Sequence, residues 1–425
     1  MEQKDWKRCL KSGELDATLT QLYGGDGLTR AKERCGRVVE GFERTFGAPP
    51  EALFSAPGRT ELGGNHTDHQ HGRVLAASVD MDILSAVRPN ESGLIRVQSE
   101  GYPLITVELS KLTPQSGEEN TSAALIRGVC AKMAELGCEL AGKGLDAYMI
   151  SDVLGGSGLS SSAAFEVLIG TILNELFFDG KCSAVEIAQI GQYAENVFFG
   201  KPCGLMDQAA ASVGGVVFID FKEPAHPVVE RVDYDFSRSG YTLCIVDTRS
   251  SHGDLTDDYA AITREMGAVA AHFGKTVLRE VKWADFRAAL PALRRECGDR
   301  AVLRALHFFE DDRRAAKEAA ALKNGDFEFF LVLVEQSGLS SALHLQNTWS
   351  IHDPAQQAVP LALAEAERLL DKGAVRVHGG GFAGTIQAWV PNEELSGFKA
   401  GMEALLGEGS CHVLRIRPVG GVRLA

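Results

Sequence analysis

The chain has no Cys-x-x-Cys pair among its nine cysteines. That removes the commonest zinc-ribbon and thioredoxin-type readings, and the odd count does not pair off into a disulfide framework. It also lacks a run of the about 18 or more apolar residues that a membrane span requires. The first residues, Met1-Glu2-Gln3-Lys4-Asp5, are polar and contain no apolar core of a secretory signal. Together these absences lead us to expect a reduced, cytoplasmic protein. A basic excess is missing too: 43 Lys and Arg face 57 Asp and Glu, for a net charge of −14. Neither nucleic acid nor an anionic membrane is therefore expected as a partner. An anionic nucleotide in a local positive pocket remains compatible with this charge. No repeat array or low-complexity segment interrupts the sequence.

What is present is ordinary globular material, 45% hydrophobic and 24% charged over 425 residues, a length that suggests about two to three domains. The stretch Leu154-Gly155-Gly156-Ser157-Gly158-Leu159-Ser160-Ser161-Ser162-Ala163-Ala164 stands out. It follows a strand-like run, Leu145 to Val153, and opens an apolar run of helical period, Phe165 to Phe178. Glycines allow backbone N–H groups to approach an anion, and a helix N-terminus adds unpaired donors and the positive end of its dipole. Serine hydroxyls at the mouth suit phosphate or a metal ion. No Lys follows the last glycine, so this is not a Walker A loop. The glycine spacing is also wrong for a dinucleotide fingerprint. Gly-Leu-Ser-Ser recurs at Gly338 to Ser341 without a glycine cluster. The letters alone thus leave open a plain Gly/Ser turn capping a core helix.

The flanking chain supplies the rest. Residues 1 to about 47 read as helical, with Leu10, Leu15, Leu19, Leu22 and Tyr23 at helical spacing, a break at Gly24-Gly25, and Val38, Val39, Phe42 and Phe46 on the face of a second helix. This extension is expected to pack onto the first domain. The loop from Ala56 to Leu75 is dense in glycine and in polar side chains, which marks a functional loop. Its His66-Thr67-Asp68-His69-Gln70-His71 run admits two readings. One is a metal cluster, though no second His cluster completes it. The other is a hydrogen-bonding loop for a polyol, since Asp accepts from vicinal hydroxyls and His does either. Cys182 to Phe199 reads as a helix carrying Glu195 near its end. The turn Gly200 to Ala211 places Asp207 among Met, Ala and Leu, where burial would suit it to base work. Polar composition at Val232 to Gly240 sets the domain boundary, giving units of 1–236 and 237–425. In the second unit Tyr259 lies in the first turns of a helix, and Gly379 to Gly384 links two strands, where glycine lets another segment or a ligand approach closely.

Pro57 to Asp68, Gly156 to Ala164 and Gly379 to Gly384 together, in this order, resemble the three signatures of the GHMP sugar and metabolite kinases. The first is most similar to the galactokinase signature, as are Ala194-Glu195 and Pro202 to Gln208. The resemblance implies a two-domain α+β fold, with a ribosomal-S5-domain-2-like N-terminal domain, a ferredoxin-like C-terminal domain and a site in the cleft between them. It implies a kinase that moves the ATP γ-phosphoryl group to the anomeric hydroxyl of a small-molecule sugar. Asp207 matches the catalytic base and Arg59 its positive partner. Ser162 and Glu195 match Mg²⁺ ligands, oxygen donors as a hard ion requires. Gly156, Ser157, Gly158, Leu159, Ser160, Ser161 and Ser162 match the ATP triphosphate loop. Asn65, His66, Thr67, Asp68 and Tyr259 fall where the family binds its sugar.

The match is imperfect at the sugar loop. The family's Glu before His-Thr-Asp is Asn65 here, its following Tyr is His69, and the Ile-Gly pair before the Glu is Gly63-Gly64. Asn accepts a hydrogen bond from a 6-hydroxyl but carries no charge, so a C6 carboxylate would no longer be repelled. His69 and Arg73 would then favour such an anion. Plant galacturonate kinases resemble the chain at this point. Galactose ranks first as the expected acceptor and galacturonate second. A non-catalytic sugar and ATP sensor ranks below both, because Ser162-Ala163, Asp207 and Arg59 are all in place.

Overall fold

A sheet of eight strands and a sheet of four organise the protein, which is described here from a computed structural model over residues 5–153, 158–201, 203–250 and 255–425. Gly156 and Ser157 of the expected triphosphate loop, and Pro202, lie outside the described residues. The first sheet contains β1 (Ala52–Gly63), β2 (Arg73–Asn90), β3 (Leu94–Ser99), β4 (Ile105–Glu108), β5 (Gly144–Ser151), β6 (Val216–Asp220) and β7 (Val228–Val232). The second contains β8 (Tyr241–Asp247), β9 (Ala374–His378), β10 (Thr385–Pro391) and β11 (Cys411–Leu414). A last short strand, β12 (Val422–Arg423), returns to the first sheet beside β1. The order is β12-β1-β2-β5-β3-β4, with β6 on β2 and β7 on β6, and among the described residues only β3 and β5 pair in parallel. The second sheet runs β11-β8-β10-β9, all antiparallel.

Helices α1 (Trp6–Ser12) and α2 (Asp16–Phe46) cover one face of the first sheet. Val38 and Phe42 pack against Leu53, Leu84, Tyr148 and Ile150, as the periodicity of this segment predicts. The expected break at Gly24 is present: Gly24 has the non-helical φ 75° and ψ 168°, so the range given for α2 spans two helices that meet at a kink. Gly24 adopts φ 75°, and a Cβ there would lie 2.5 Å from Cζ of Arg415, so glycine is required. The opposite face carries α3 (Ser122–Glu135), α4 (Ser161–Phe177), α5 (Ala184–Tyr193) and α6 (Met206–Val213). Ile126, Val129, Val167, Leu168 and Ile172 from these helices meet Ala77, Val97, Ala147 and Met149 of the sheet.

The second sheet shows the period-two alternation of a sheet buried on both faces. Cys244, Val246, Ile386, Ala388 and Val390 face α11 (Ala358–Leu369) and α12 (Leu395–Leu406). Leu243, Ile245 and Trp389 face the other way, onto Phe327, Phe330 and Val334 of α10 (Phe327–Ser340). The remaining helices, α7 (Thr256–His272), α8 (Trp283–Glu296) and α9 (Asp299–Lys323), build a separate apolar cluster around Phe286, Phe308 and Leu345. This is the two-part α+β architecture expected from the sequence. The boundary expected at 236/237 falls between β7 and β8, whereas the tail crosses back. Ile416 bridges Val79, and Arg417 reaches Ser55 at 2.6 Å and Asp82 at 3.1 Å in the first unit.

Candidate active site

Arg59 and Asp207 meet where β1 passes the start of α6. Nε of Arg59 donates to one Asp207 oxygen at 2.7 Å and Nη2 to the other at 2.6 Å, the two-pronged geometry that guanidinium and carboxylate favour. The third nitrogen of Arg59 donates to the carbonyl of Gly158, and its backbone N–H donates to the carbonyl of Leu159 at 3.0 Å. A register shift between Pro57 and Arg59 makes this approach possible, because a bulge re-aims a strand. At Gly58 a Cβ would stand 2.9 Å from the Leu159 carbonyl. The sequence reading had Asp207 buried among apolar neighbours. Instead its side chain is 29% exposed, and what it has is an arginine.

The described end of the glycine–serine loop leads into α4. Gly158 and Ser160 both adopt left-handed backbone conformations, with φ of 73° and 55°, and α4 begins at Ser161 without a side-chain cap. Its first amides are thereby left for an anion. Behind Gly158 lies His378, locked between the Thr60 and Thr385 hydroxyls at 3.0 Å each. Burial and the nearby Arg59 and Arg376 charges hold His378 well below the usual histidine range, so it remains neutral.

Four side chains cluster beside the helix mouth. The Ser162 hydroxyl donates to Oε1 of Glu195 at 3.3 Å. The Gln208 amide donates to Oε2 of Glu195 at 2.8 Å and to Oε2 of Glu166 at 2.9 Å. Glu195 is presented by a π-helical turn, Ala194–Phe199, that continues α5. Such a turn, frequent at functional sites, rotates the following side chains out of the α-helical register. Burial and the Glu195 charge push the Glu166 carboxyl up to about 9. Oε1 of Glu166 and Oε1 of Gln208 are buried without a hydrogen-bond partner. A hydroxyl, a carboxylate and unsatisfied oxygens together suit a hard divalent cation. Mg²⁺ commonly takes only one or two carboxylates from the protein, along with substrate phosphates and water. The residues present therefore fit Mg²⁺.

The expected sugar residues divide into two groups. His66 and Tyr259 form an aromatic wall, their rings 6.5 Å apart and stacked, and both hydrogen-bond to the Gly379–Gly381 loop: His66 Nε2 to the Gly380 carbonyl at 2.9 Å, Tyr259 to the Gly381 carbonyl at 3.0 Å. The glycines permit this approach, since a Cβ on Gly380 would lie 2.7 Å from the Tyr259 ring. Loss of hydration pushes His66 down to about 4, leaving a neutral ring. Asp68 lies opposite the Asp207 turn, its Oδ2 only 2.9 Å from where a Cβ on Gly204 would stand.

The side chains of Asn65 and Thr67 are engaged by the protein itself. The Thr67 hydroxyl is shared between the Gly64 and Arg73 carbonyls at 2.8 and 2.6 Å. The Asn65 amide donates to Glu61 and to the Gly379 carbonyl, and its oxygen accepts from Asn347 and Ser341. Both residues have no exposed surface. Arg73 likewise is not available to an anion, because Asp220 and Asp312 hold its guanidinium at 3.0 and 2.9 Å.

Reading the sequence missed Glu166 and gave Gln208 no role. A signal existed for the first: Glu166 lies four residues after Ser162 on α4, one turn along the same face. Gln208 closes the Pro202 to Gln208 motif, but local sequence does not reveal its bonds to Glu166 and Glu195, which come from other helices.

Residues 40–89 match the galactokinase galactose-binding signature, and residues 124–215 match the GHMP kinases N terminal domain. A galactokinase of Streptomyces coelicolor is 32% identical over 358 residues, which cover 82% of this chain and 87% of that protein. The crystal structure of Lactococcus lactis galactokinase complexed with galactose superposes with a TM-score of 0.76 at 23% identity, covering 91% of this chain and 99% of that one. Methanococcus jannaschii mevalonate kinase shares the fold more distantly, with a TM-score of 0.60 at 14% identity over 86% of this chain and 98% of that one. The identity, its reach along both chains and the matched signature show that this chain belongs to the galactokinase family of the GHMP kinases, phosphotransferases with an alcohol group as acceptor.

Proposed function

We propose that the protein transfers the γ-phosphoryl group of ATP to the anomeric hydroxyl of galactose, giving galactose 1-phosphate and ADP. The observation that carries this reading is the two-pronged Arg59–Asp207 pair, tied by Arg59 to the Gly158 and Leu159 carbonyls at the mouth of α4. It sets a base and a cation side by side at an anion-binding helix terminus.

The chemistry follows from that placement. Phosphoryl transfer needs mainly positioning and charge stabilisation. Asp207 takes the proton of the sugar C1 hydroxyl as its oxygen bonds to the γ-phosphorus and the bond to the ADP oxygen breaks. Arg59 stabilises negative charge gathering on the transferred group. Amides at the start of α4 cradle the triphosphate, and Ser162 and Glu195 would hold Mg²⁺. When bound, that ion neutralises phosphate charge and orients the donor. His66, Asp68 and Tyr259 line the sugar side. Asp207 then returns its proton to solvent.

The test is direct. The purified chain, given galactose and MgATP, is expected to form ADP and galactose 1-phosphate in equal amounts, and Asp207→Ala to abolish both while galactose still binds in calorimetry. Absence of sugar phosphate from the wild-type protein would overturn the reading.

A further inference from the structure

Glu166 touches none of the groups assigned to sugar or phosphate, yet it is nearly fully buried in a cluster built with unusual closeness. Gln208, itself without exposed surface, bridges two glutamates through its amide nitrogen, donating to Glu166 at 2.9 Å and to Glu195 at 2.8 Å, with the Cys203 sulfur 3.7 Å away as a weaker acceptor. The arrangement is packed from above by α5. A Cβ on Gly191 would lie 3.1 Å from the Glu166 Cβ, 3.2 Å from the Gln208 Cγ and 3.2 Å from a Glu166 oxygen. Only a residue without a side chain leaves the bridge undisturbed. Three helices thus converge on one amide, Glu166 from α4, Gln208 from α6 and Glu195 just beyond α5.

We propose that Glu166 is a positioning residue: it fixes the Gln208 amide, which pins Oε2 of Glu195 and leaves Oε1 turned toward Ser162, where a divalent cation would be held. The geometry has a specific logic. Glu195 has two equivalent oxygens and sits on a π-helical turn, so its carboxylate needs an external anchor to present a defined edge. Gln208 alone is a poor anchor, since an amide can rotate or flip. Oε2 of Glu166 accepts from the NH₂ edge of Gln208 at 2.9 Å, which holds the amide in the orientation that donates to Glu195. This inference rests on Glu195 being a cation ligand, as the proposed function holds.

The test reads divalent-cation affinity separately from catalysis. Mn²⁺ binding is measured by electron paramagnetic resonance with a non-hydrolysable ATP analogue, and galactose binding by calorimetry in the absence of metal. Glu166→Leu is expected to weaken Mn²⁺ binding by about 10–100-fold, the range for losing a group that orients a metal ligand. Galactose affinity should stay at the wild-type value. Glu166→Gln, which keeps an acceptor for the Gln208 amide, should restore most of the Mn²⁺ affinity. Gln208→Leu should weaken it as Glu166→Leu does, and adding Glu166→Leu to Gln208→Leu should cost nothing more, because Glu166 then has nothing to act through. The double variant also leaves no orphaned donor, so it serves if Glu166→Leu alone fails to fold. Unchanged Mn²⁺ affinity in Glu166→Leu, a parallel loss of galactose affinity, or a further loss on top of Gln208→Leu would each overturn the proposal. Glu195→Gln separates the two levels. If it leaves Mn²⁺ binding intact, the cation assignment itself is wrong; if it abolishes binding while Glu166→Leu does not, only the positioning role fails.

Discussion

Asn65 donates its side-chain amide to Oε1 of Glu61 at 3.0 Å, and that same carboxylate oxygen accepts from Arg376. A carboxylate on β1, four residues before Asn65, thus holds the Asn65 amide and is itself paired from the second sheet. Burial pushes the Glu61 carboxyl up and Arg376 pulls it back. Asn65→Glu would set a second carboxylate against Glu61 and against the Gly379 carbonyl, with no added cation. Leaving a buried charge uncompensated costs about 3–5 kcal/mol. The variant is expected to melt at a clearly lower temperature and to lose activity on galactose. A residue facing the sugar C6 position would instead let Asn65→Glu keep galactose turnover and wild-type stability, so thermal melts and galactose kinetics together decide its role.

The same side chains show what sequence can and cannot deliver here. Arg59, Glu195 and Asp207 stand out in the sequence because each sits in a dense local motif, and the structure brings Arg59 and Asp207 into contact across 148 positions. The inward turn of Asn65 was not legible, because Asn347, Ser341 and Gly379 that capture it lie hundreds of residues away. The π-turn at Ala194–Phe199 escaped for another reason. A pattern with helical period continues through it, and only the register of the side chains changes. The return of β12 rests on its pairing with Phe54 and Ser55, which local composition does not encode.

Asp207→Asn preserves shape and removes the base. General-base assistance contributes about 10²–10⁴-fold, so kcat should fall by that order while galactose affinity holds. Arg59→Lys is not a mild change, because a single ammonium cannot bond both Asp207 oxygens and the Gly158 carbonyl at once. It is expected to lower kcat as well. Steady-state kinetics paired with sugar-binding calorimetry checks both, and a variant of either kind with wild-type kcat would remove its residue from the chemistry.

Glu318 on α9 presents a further, pH-dependent consequence. Its carboxyl is fully buried against Gly63, where a Cβ would lie 1.6 Å from its oxygen, and neither oxygen has a hydrogen-bond partner. Burial, with Asp311 and Glu61 nearby, pushes it from 4.5 up to about 8 despite Arg376 and Arg314. A carboxyl raised on folding stabilises the folded state fully below its unfolded value. That contribution is lost as pH climbs toward the folded value. The loss can reach about 1.4 kcal/mol per pH unit across this window. Glu318→Gln removes the titration. Melting temperatures taken between the two values, from about pH 4.5 to about pH 8, should therefore decline less steeply in the variant than in the wild type. Parallel curves would show that Glu318 does not titrate there.

Gly380→Ala probes the sugar wall without touching Asp207, Arg59 or the α4 mouth. The new methyl would stand 2.7 Å from the Tyr259 ring, which packs on His66 with ring centres 6.5 Å apart. Tyr259 also donates to the Gly381 carbonyl at 3.0 Å, so the ring cannot move without breaking that bond. Overpacking of this kind costs about 1–3 kcal/mol, and about 1.4 kcal/mol corresponds to tenfold in affinity. The galactose KM is expected to rise by about tenfold or more, with the ATP KM little changed, because the triphosphate side of the site is built from α4 and β1. Equal rises in both constants would mean that the glycine loop supports the whole cleft rather than its sugar half.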